Sequence, residues 1–177
     1  MFNVCKLTVS MYTGRKEERV IPLATDCSLK CEDIVLTEEA LIKKLNKIGV
    51  ICNEVIRLKK GIKIDETFSK YGFSISLIDT SDDPFGYESK FLSSDFEYNQ
   101  SLNFRLDNEW DSIEATKNIL MVVFEIIDST DSNLLFLHND NECLYKIDGI
   151  LRINNEEGFW HREEYRTLIQ NQNFQEI

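Results

Sequence analysis

Proline and glycine are scarce in this chain, with two prolines (Pro22 and Pro84) and seven glycines in 177 residues. That leaves little room for a flexible linker, so one domain spanning residues 1–177 is expected. Long apolar runs at the start are lacking too. The opening “MFNVCKLTVSMYTG” alternates apolar and polar residues, so neither a signal peptide nor a membrane anchor is expected there. The cysteines are few, odd in number and scattered: Cys5, Cys27, Cys31, Cys52 and Cys143. This is not the pattern of a secreted disulfide framework, and a cytoplasmic protein with reduced thiols is expected. Within “CSLKC” the spacing of Cys27 and Cys31 is one residue too long for a CxxC redox motif. With only His138 and His161 to complete a ligand set, no metal is expected.

Catalytic signatures are lacking as well. No phosphate-cradling GxxxxGK[ST] or GxGxxG occurs, and no HExxH or GxSxG. No cofactor or small-molecule ligand is therefore expected. Adjacent carboxylates are plentiful, as in Asp82/Asp83, Glu109/Asp111 and Glu163/Glu164. With 31 acids in the chain such pairs arise by chance and read as solvated charge.

What the chain does have is core-forming material and negative charge. Hydrophobic residues make up 42% and aromatic residues 11%, which argues against disorder. The net charge is −11, unevenly spread: residues 1–63 balance to +4, and residues 64–177 to −15. Between residues 79 and 142 there are 15 acids and 3 bases. Such a field repels nucleic acid and attracts basic proteins.

The hydrophobic pattern predicts an α+β fold, a mainly antiparallel sheet with two to four helices packed on it. Cys5, Leu7, Val9 and Met11 alternate as in a half-buried strand, and “RVIPL” can return as an edge strand because Pro22 cannot donate to a ladder. “LTEEALIKKLNKIG” predicts a helix over residues 37–48, capped by Thr37 and stopped at Gly49. “VICNEVIRL” and “FSISLID” read as strands, “DFEYNQSLNFRL” has strand-like content, and “DNEWDSIEATKN” starts like a helix with Asp107 as its cap. “ILMVVFEII”, residues 119–127, is the most apolar run and reads as a central strand buried on both faces. After “LLFLHN”, the Asp148-Gly149 pair in “YKIDGILRIN” predicts a type I′ hairpin. A closing helix at about 158–170 is expected to bury Phe159, Trp160 and Tyr165.

Five segments, “GFSISLI”, “DFEY”, “NEWDS”, “ILMVVFEI” and “GFWHREEY”, are similar in order to segments of the MutH-type restriction endonucleases. In that family the first segment carries a Glu-x-Lys pair that holds the metal and the attacking water. Ser74 and Ser76 stand at those positions here. The resemblance thus implies a catalytically inactive, nuclease-like DNA-binding domain.

Composition favours a different class: a non-enzymatic, acidic protein-binding module. Immunity proteins that neutralise a basic, nuclease-type toxin fit best, because they need no active site and gain from charge complementarity. An enzyme whose site is not readable from sequence is the third possibility. For the inhibitor, the expected partner is a basic protein, with no nucleic acid bound. The expected contact surface is the loop “DTSDDPFGYES” and its surroundings, since turn residues keep it at the surface. Its candidate residues are Asp79, Asp82, Asp83, Phe85, Tyr87, Glu88, Asp95, Glu97 and Glu109.

Overall fold

The alternation in “FSISLID” is realised directly: Phe73, Ile75 and Leu77 point into the main core, and Ser74 and Ser76 point the other way. A computed structural model describes residues 25–170 and 172–177. Its elements in chain order are β1 (Asp26–Cys31), α1 (Glu38–Lys47), β2 (Ile56–Leu58), β3 (Gly61–Ile64), α2 (Glu66–Tyr71), β4 (Phe73–Asp79), β5 (Phe85–Tyr87), β6 (Phe96–Tyr98), β7 (Gln100–Leu106), α3 (Ser112–Ile127), β8 (Leu134–His138), β9 (Asn141–Ile147), β10 (Ile150–Ile153), α4 (Glu163–Ile169) and β11 (Phe174–Glu176). The strands expected around Cys5–Met11 and in “RVIPL” lie outside the described residues.

Nine strands form one sheet in the order β11-β10-β9-β8-β1-β7-β4-β3-β2, antiparallel except for the β10–β11 pair. The α+β expectation therefore holds, with four α-helices among the described residues. The Asp148-Gly149 turn joins β9 to β10 with both residues in the left-handed region, at φ 51° and 76°, as a type I′ turn requires. The “CSLKC” segment is β1, at the middle of the sheet. Cys27, Leu29 and Cys31 face the core, while Asp26, Ser28 and Lys30 occupy the opposite face. Cys27, Cys31, Cys52 and Cys143 are all free thiols. Burial pushes the thiols of Cys31 and Cys143 up to about 12, which keeps them protonated and unreactive.

The largest departure from expectation is “ILMVVFEII”, which is the second half of the helix α3 and not a strand. A short apolar run cannot by itself distinguish a buried strand from a buried helix. Here the preceding “SIEATKN” supplies helical length, and Leu120, Val123, Phe124 and Ile127 fall at the i, i+3, i+4, i+7 spacing. The helix is apolar nearly all round because the sheet covers one side and α1 and α4 cover others. Its cap is Asp111, whose Oδ1 accepts from the N–H groups of Ile113 (2.9 Å) and Glu114 (3.3 Å). Asp107, the expected cap, instead accepts from the Glu109 N–H in the preceding turn. The last turn of α3 has no basic residue of its own. Two lysines from neighbouring elements serve it instead. Lys44 Nζ donates to the Glu125 carbonyl (2.8 Å), and Lys146 Nζ donates to the carbonyls of Ile127 (3.1 Å) and Thr130. Cations at that end interact favourably with the helix dipole, by about 0.3–1 kcal/mol each.

Smaller differences have local causes. α1 follows expectation, with Thr37 Oγ1 accepting from the Ala40 N–H (3.2 Å) and Leu41 and Leu45 buried. Of “VICNEVIRL” only Ile56–Leu58 is strand, because β2 is an edge that pairs with β3 alone. The closing helix is split into a 3-10 turn at Phe159–His161 and α4, since Arg162 is extended between them. Trp160 is fixed there by an Nε1–H bond to the Cys143 carbonyl (2.8 Å) and is buried, as is Tyr165; Phe159 is half-buried.

Candidate partner-binding surface

Between β4 and β7 the chain leaves the large sheet and makes a small arm. “FGY” and “FEY” pair as β5 and β6, with Phe85 opposite Tyr98 and Tyr87 opposite Phe96. The segment expected as an open loop thus contains a short strand. The arm folds back over the sheet face that carries none of the described helices. Phe96, Leu135, Leu137 and Tyr145 form a second, smaller core there, with Tyr87, Phe91, Leu92 and Tyr98 packed against it. Lys30 Nζ lies 4.2 Å from the Tyr98 ring centroid, a cation–π contact beneath the arm. At the arm's base, Thr80 Oγ1 donates to the Tyr98 carbonyl (3.1 Å).

One buried carboxylate fastens the far end. Glu142 on β9 accepts from Ser89 Oγ (2.6 Å) and from the Lys90 N–H (2.7 Å), and Ser89 Oγ in turn accepts from the N–H groups of Phe91 and Leu92. Glu142→Ala removes both acceptors and leaves those groups to be satisfied by water. A net loss of about 1–3 kcal/mol in arm docking is expected. The readout is tryptic cleavage after Lys90, which should accelerate while the sheet core unfolds at an almost unchanged urea midpoint. Unchanged cleavage would show that the apolar contacts alone hold the arm.

The arm's outer surface is acidic. Asp82, Asp83, Glu88, Asp95 and Glu97 are all exposed. The register sets Glu97 opposite Gly86 and puts Glu88 and Asp95 just past the last strand pair, at the tip; Asp82 and Asp83 precede the first pair. Asp79 closes β4 and is exposed. Its Oδ1 accepts from the Ser81 hydroxyl (2.6 Å) and N–H (2.9 Å), and these bonds hold its carboxyl below the usual carboxylate range. Asp79 and Asp82 also border a cleft of about 460 Å³ whose other side carries Lys59 and Lys60, so part of their charge is offset. Tyr87 is half-buried and its hydroxyl donates to the Asp140 carbonyl (3.3 Å). The backbone of Phe85 pairs within β5–β6.

Glu109 is not near these residues. Leu106, just before it, pairs with Phe73, whereas Gln100 pairs with Asp79. The length of β4, about 20 Å at the usual rise per residue, separates the two groups. In exchange, the fold adds acids that sequence reasoning missed. Glu32, Asp95 and Glu97 share one shallow cleft, and Glu32, Asp33, Asp131 and Asp148 line the next. The added residues, Glu32, Asp33, Asp131 and Asp148, lie on three segments brought together by the pairing of β1 with β8, by the β9–β10 turn and by hydrogen bonds through Ser132 and Asn133. No local pattern marks them.

Ser74 and Ser76 lie on the open part of the same sheet face, in register with Arg105 and Asn103 of β7. No carboxylate–lysine pair stands on that strand. Among the described residues no group of three His, Cys, Asp or Glu side chains is arranged to hold a metal ion. Nor is any described helix long and apolar enough to cross a membrane. A family model described as SitI3-like matches residues 50–164, more than half of the chain, from the segment before β2 to the first turn of α4. No curated protein and no solved structure matches.

Proposed function

The chain belongs to the SitI3-like family, a family of toxin immunity proteins, and from that premise we propose that it neutralises a basic toxin domain in the cytoplasm by binding it directly. The acidic arm is the contact surface: Asp82, Asp83, Glu88, Asp95 and Glu97 meet the toxin's basic face, with Asp79 at the arm's base and the aromatic residues Phe85 and Tyr87 as anchors. Glu109, at the far end of β4, contributes only to the long-range field. The observation that carries this reading is the imbalance of 15 acids to 3 bases over residues 79–142, which lie inside the family match. Opposite fields steer encounter, and a bound inhibitor occludes the surface a basic toxin uses on its own target.

If a basic toxin domain is encoded beside this chain, growth of cells expressing that domain should be restored by co-expression of the chain. The two proteins should also co-elute as a complex. Growth arrest that persists at matched expression, with no complex formed, would overturn the reading.

A DNA-binding role is the competing reading, favoured only by Arg105 and Lys63, which are in register with Ser74 and Ser76. It requires DNA binding at low salt that weakens steeply as salt rises. A protein that ignores DNA under those conditions excludes it.

A further inference from the structure

Among the described residues, the arm covers only part of the sheet face opposite the helices. Beside it, over β1, β7 and β4, lies an open trough of about 400 Å³ whose floor is made of small polar side chains. Antiparallel sheets commonly leave one face to water, but such faces favour Thr, β-branched or long charged side chains. Here Ser28, Ser74, Ser76 and Asn103 keep the floor low. Ser74 is only 7% exposed, so its side chain forms part of the trough floor. Asn103 uses its Oδ1 to accept from Ser101 Oγ (2.8 Å), which leaves its amide N–H groups to donate elsewhere.

The trough carries charge of both signs, Lys30 and Arg105 against Asp26 and Asp140. Arg105 is exposed, is paired across the strands with Ser74, and has no carboxylate within 4.0 Å among the described residues. Asp26 sits opposite it on β1 but does not reach ion-pairing distance. Lys30, the other cation nearby, is held over the Tyr98 ring. Among the described residues, Arg105 is therefore a cation without an ion pair, in a site that also holds hydroxyl and amide donors and the carboxylates of Asp26 and Asp140. A planar guanidinium beside a hydroxyl donor matches a carboxylate, which it can hold through two parallel N–H···O bonds.

We propose that this trough receives an Asp or Glu side chain of the toxin partner, held by the Arg105 guanidinium and the Ser74 hydroxyl. The Asn103 amide and the hydroxyls of Ser28 and Ser76, one strand to either side, bond the backbone that flanks that residue. This rests on the immunity reading and adds a second, oppositely charged contact to the acidic arm. Two contacts of opposite sign fix orientation, because a uniformly basic ligand would meet repulsion at Arg105.

The test is surface plasmon resonance against a catalytically inactivated form of the toxin domain that the growth-rescue experiment identifies. Arg105→Ala should raise the Kd about tenfold or more, mainly through faster dissociation. Arg105→Lys should recover only part of the loss, because an ammonium keeps the charge without the fork. Arg105→Glu should weaken binding further. Lys63→Ala on the same face should bind like the wild type. Both residues are on the open face, so melting temperatures of the four variants should stay within a degree or two of the wild type and report that folding is intact. Wild-type affinity in Arg105→Ala and Arg105→Glu, with the wild type itself binding, overturns the trough contact and leaves the immunity reading standing. A wild type that binds no toxin overturns both. If Arg105→Ala instead abolishes self-association on gel filtration, the trough holds a second copy and the proposal is wrong.

Discussion

Association with the toxin is expected to slow about tenfold or more when Asp82, Asp83 and Glu88 are replaced together by Asn, Asn and Gln. These side chains are exposed at the base and tip of the arm. Rim charges of this kind act through the encounter rate, because their field reaches out before contact while their bonds to a wet partner surface are weak. Dissociation should change far less, by no more than two- to threefold. Raising salt from about 0.05 M to about 0.5 M should slow association of the unmodified protein similarly, since screening shortens the reach of the field to a few ångströms. The triple variant should then show a shallower salt dependence than the wild type. The expected contrast with Arg105 is kinetic: arm charges govern the on-rate, and the trough governs the off-rate. An on-rate indifferent both to salt and to the amide changes would mean that the acidic bias serves only solvation.

Phe104→Ala is expected to destabilise the protein by about 3–5 kcal/mol, a large share of the 5–15 kcal/mol typical of a whole domain. Phe104 sits in the middle of β7 on the helix-covered face, is 1% exposed, and meets the Phe73 ring edge-on at 5.9 Å. β1 and β4 flank β7 on either side, so the surroundings cannot collapse into the space the ring leaves. At this chain length the loss corresponds to a melting temperature lower by about 10 °C. The companion change is Ile78→Ala, on the other face of the neighbouring strand, where the side chain is half-buried and outside both apolar cores. It should cost less than about 1 kcal/mol. Equal effects of the two substitutions would contradict a core lying on one face of these strands.

Those two residues also show what was legible beforehand. The alternation in “FSISLID” and “SLNFRL” settles which side chains share a face, because the period of a strand is a property of the local backbone. The Asp148-Gly149 turn, the Thr37 cap and the Gly49 stop were equally readable, since each satisfies a conformational demand within four residues. The antiparallel sheet and the surface position of the acidic arm follow from such local signals. “ILMVVFEII” did not yield to them. Its composition suits a buried strand and a buried helix alike, and only the cover provided by α1, α4 and the sheet makes a helix apolar on every side tolerable.

For the binding surface the division is sharper. The sequence by itself determined that residues 79–97 are acidic and turn-rich. Only the tertiary structure decided that Glu109 lies a strand's length from them, that Glu32, Asp131 and Asp148 join them, and that Arg105 faces a trough floored by serines from β1 and β4. The reason is strand pairing: β1 inserts between β7 and β8, segments remote from it along the chain. Which residues become neighbours across such a ladder depends on how the whole sheet buries its helix-facing side, and no window of sequence contains that information.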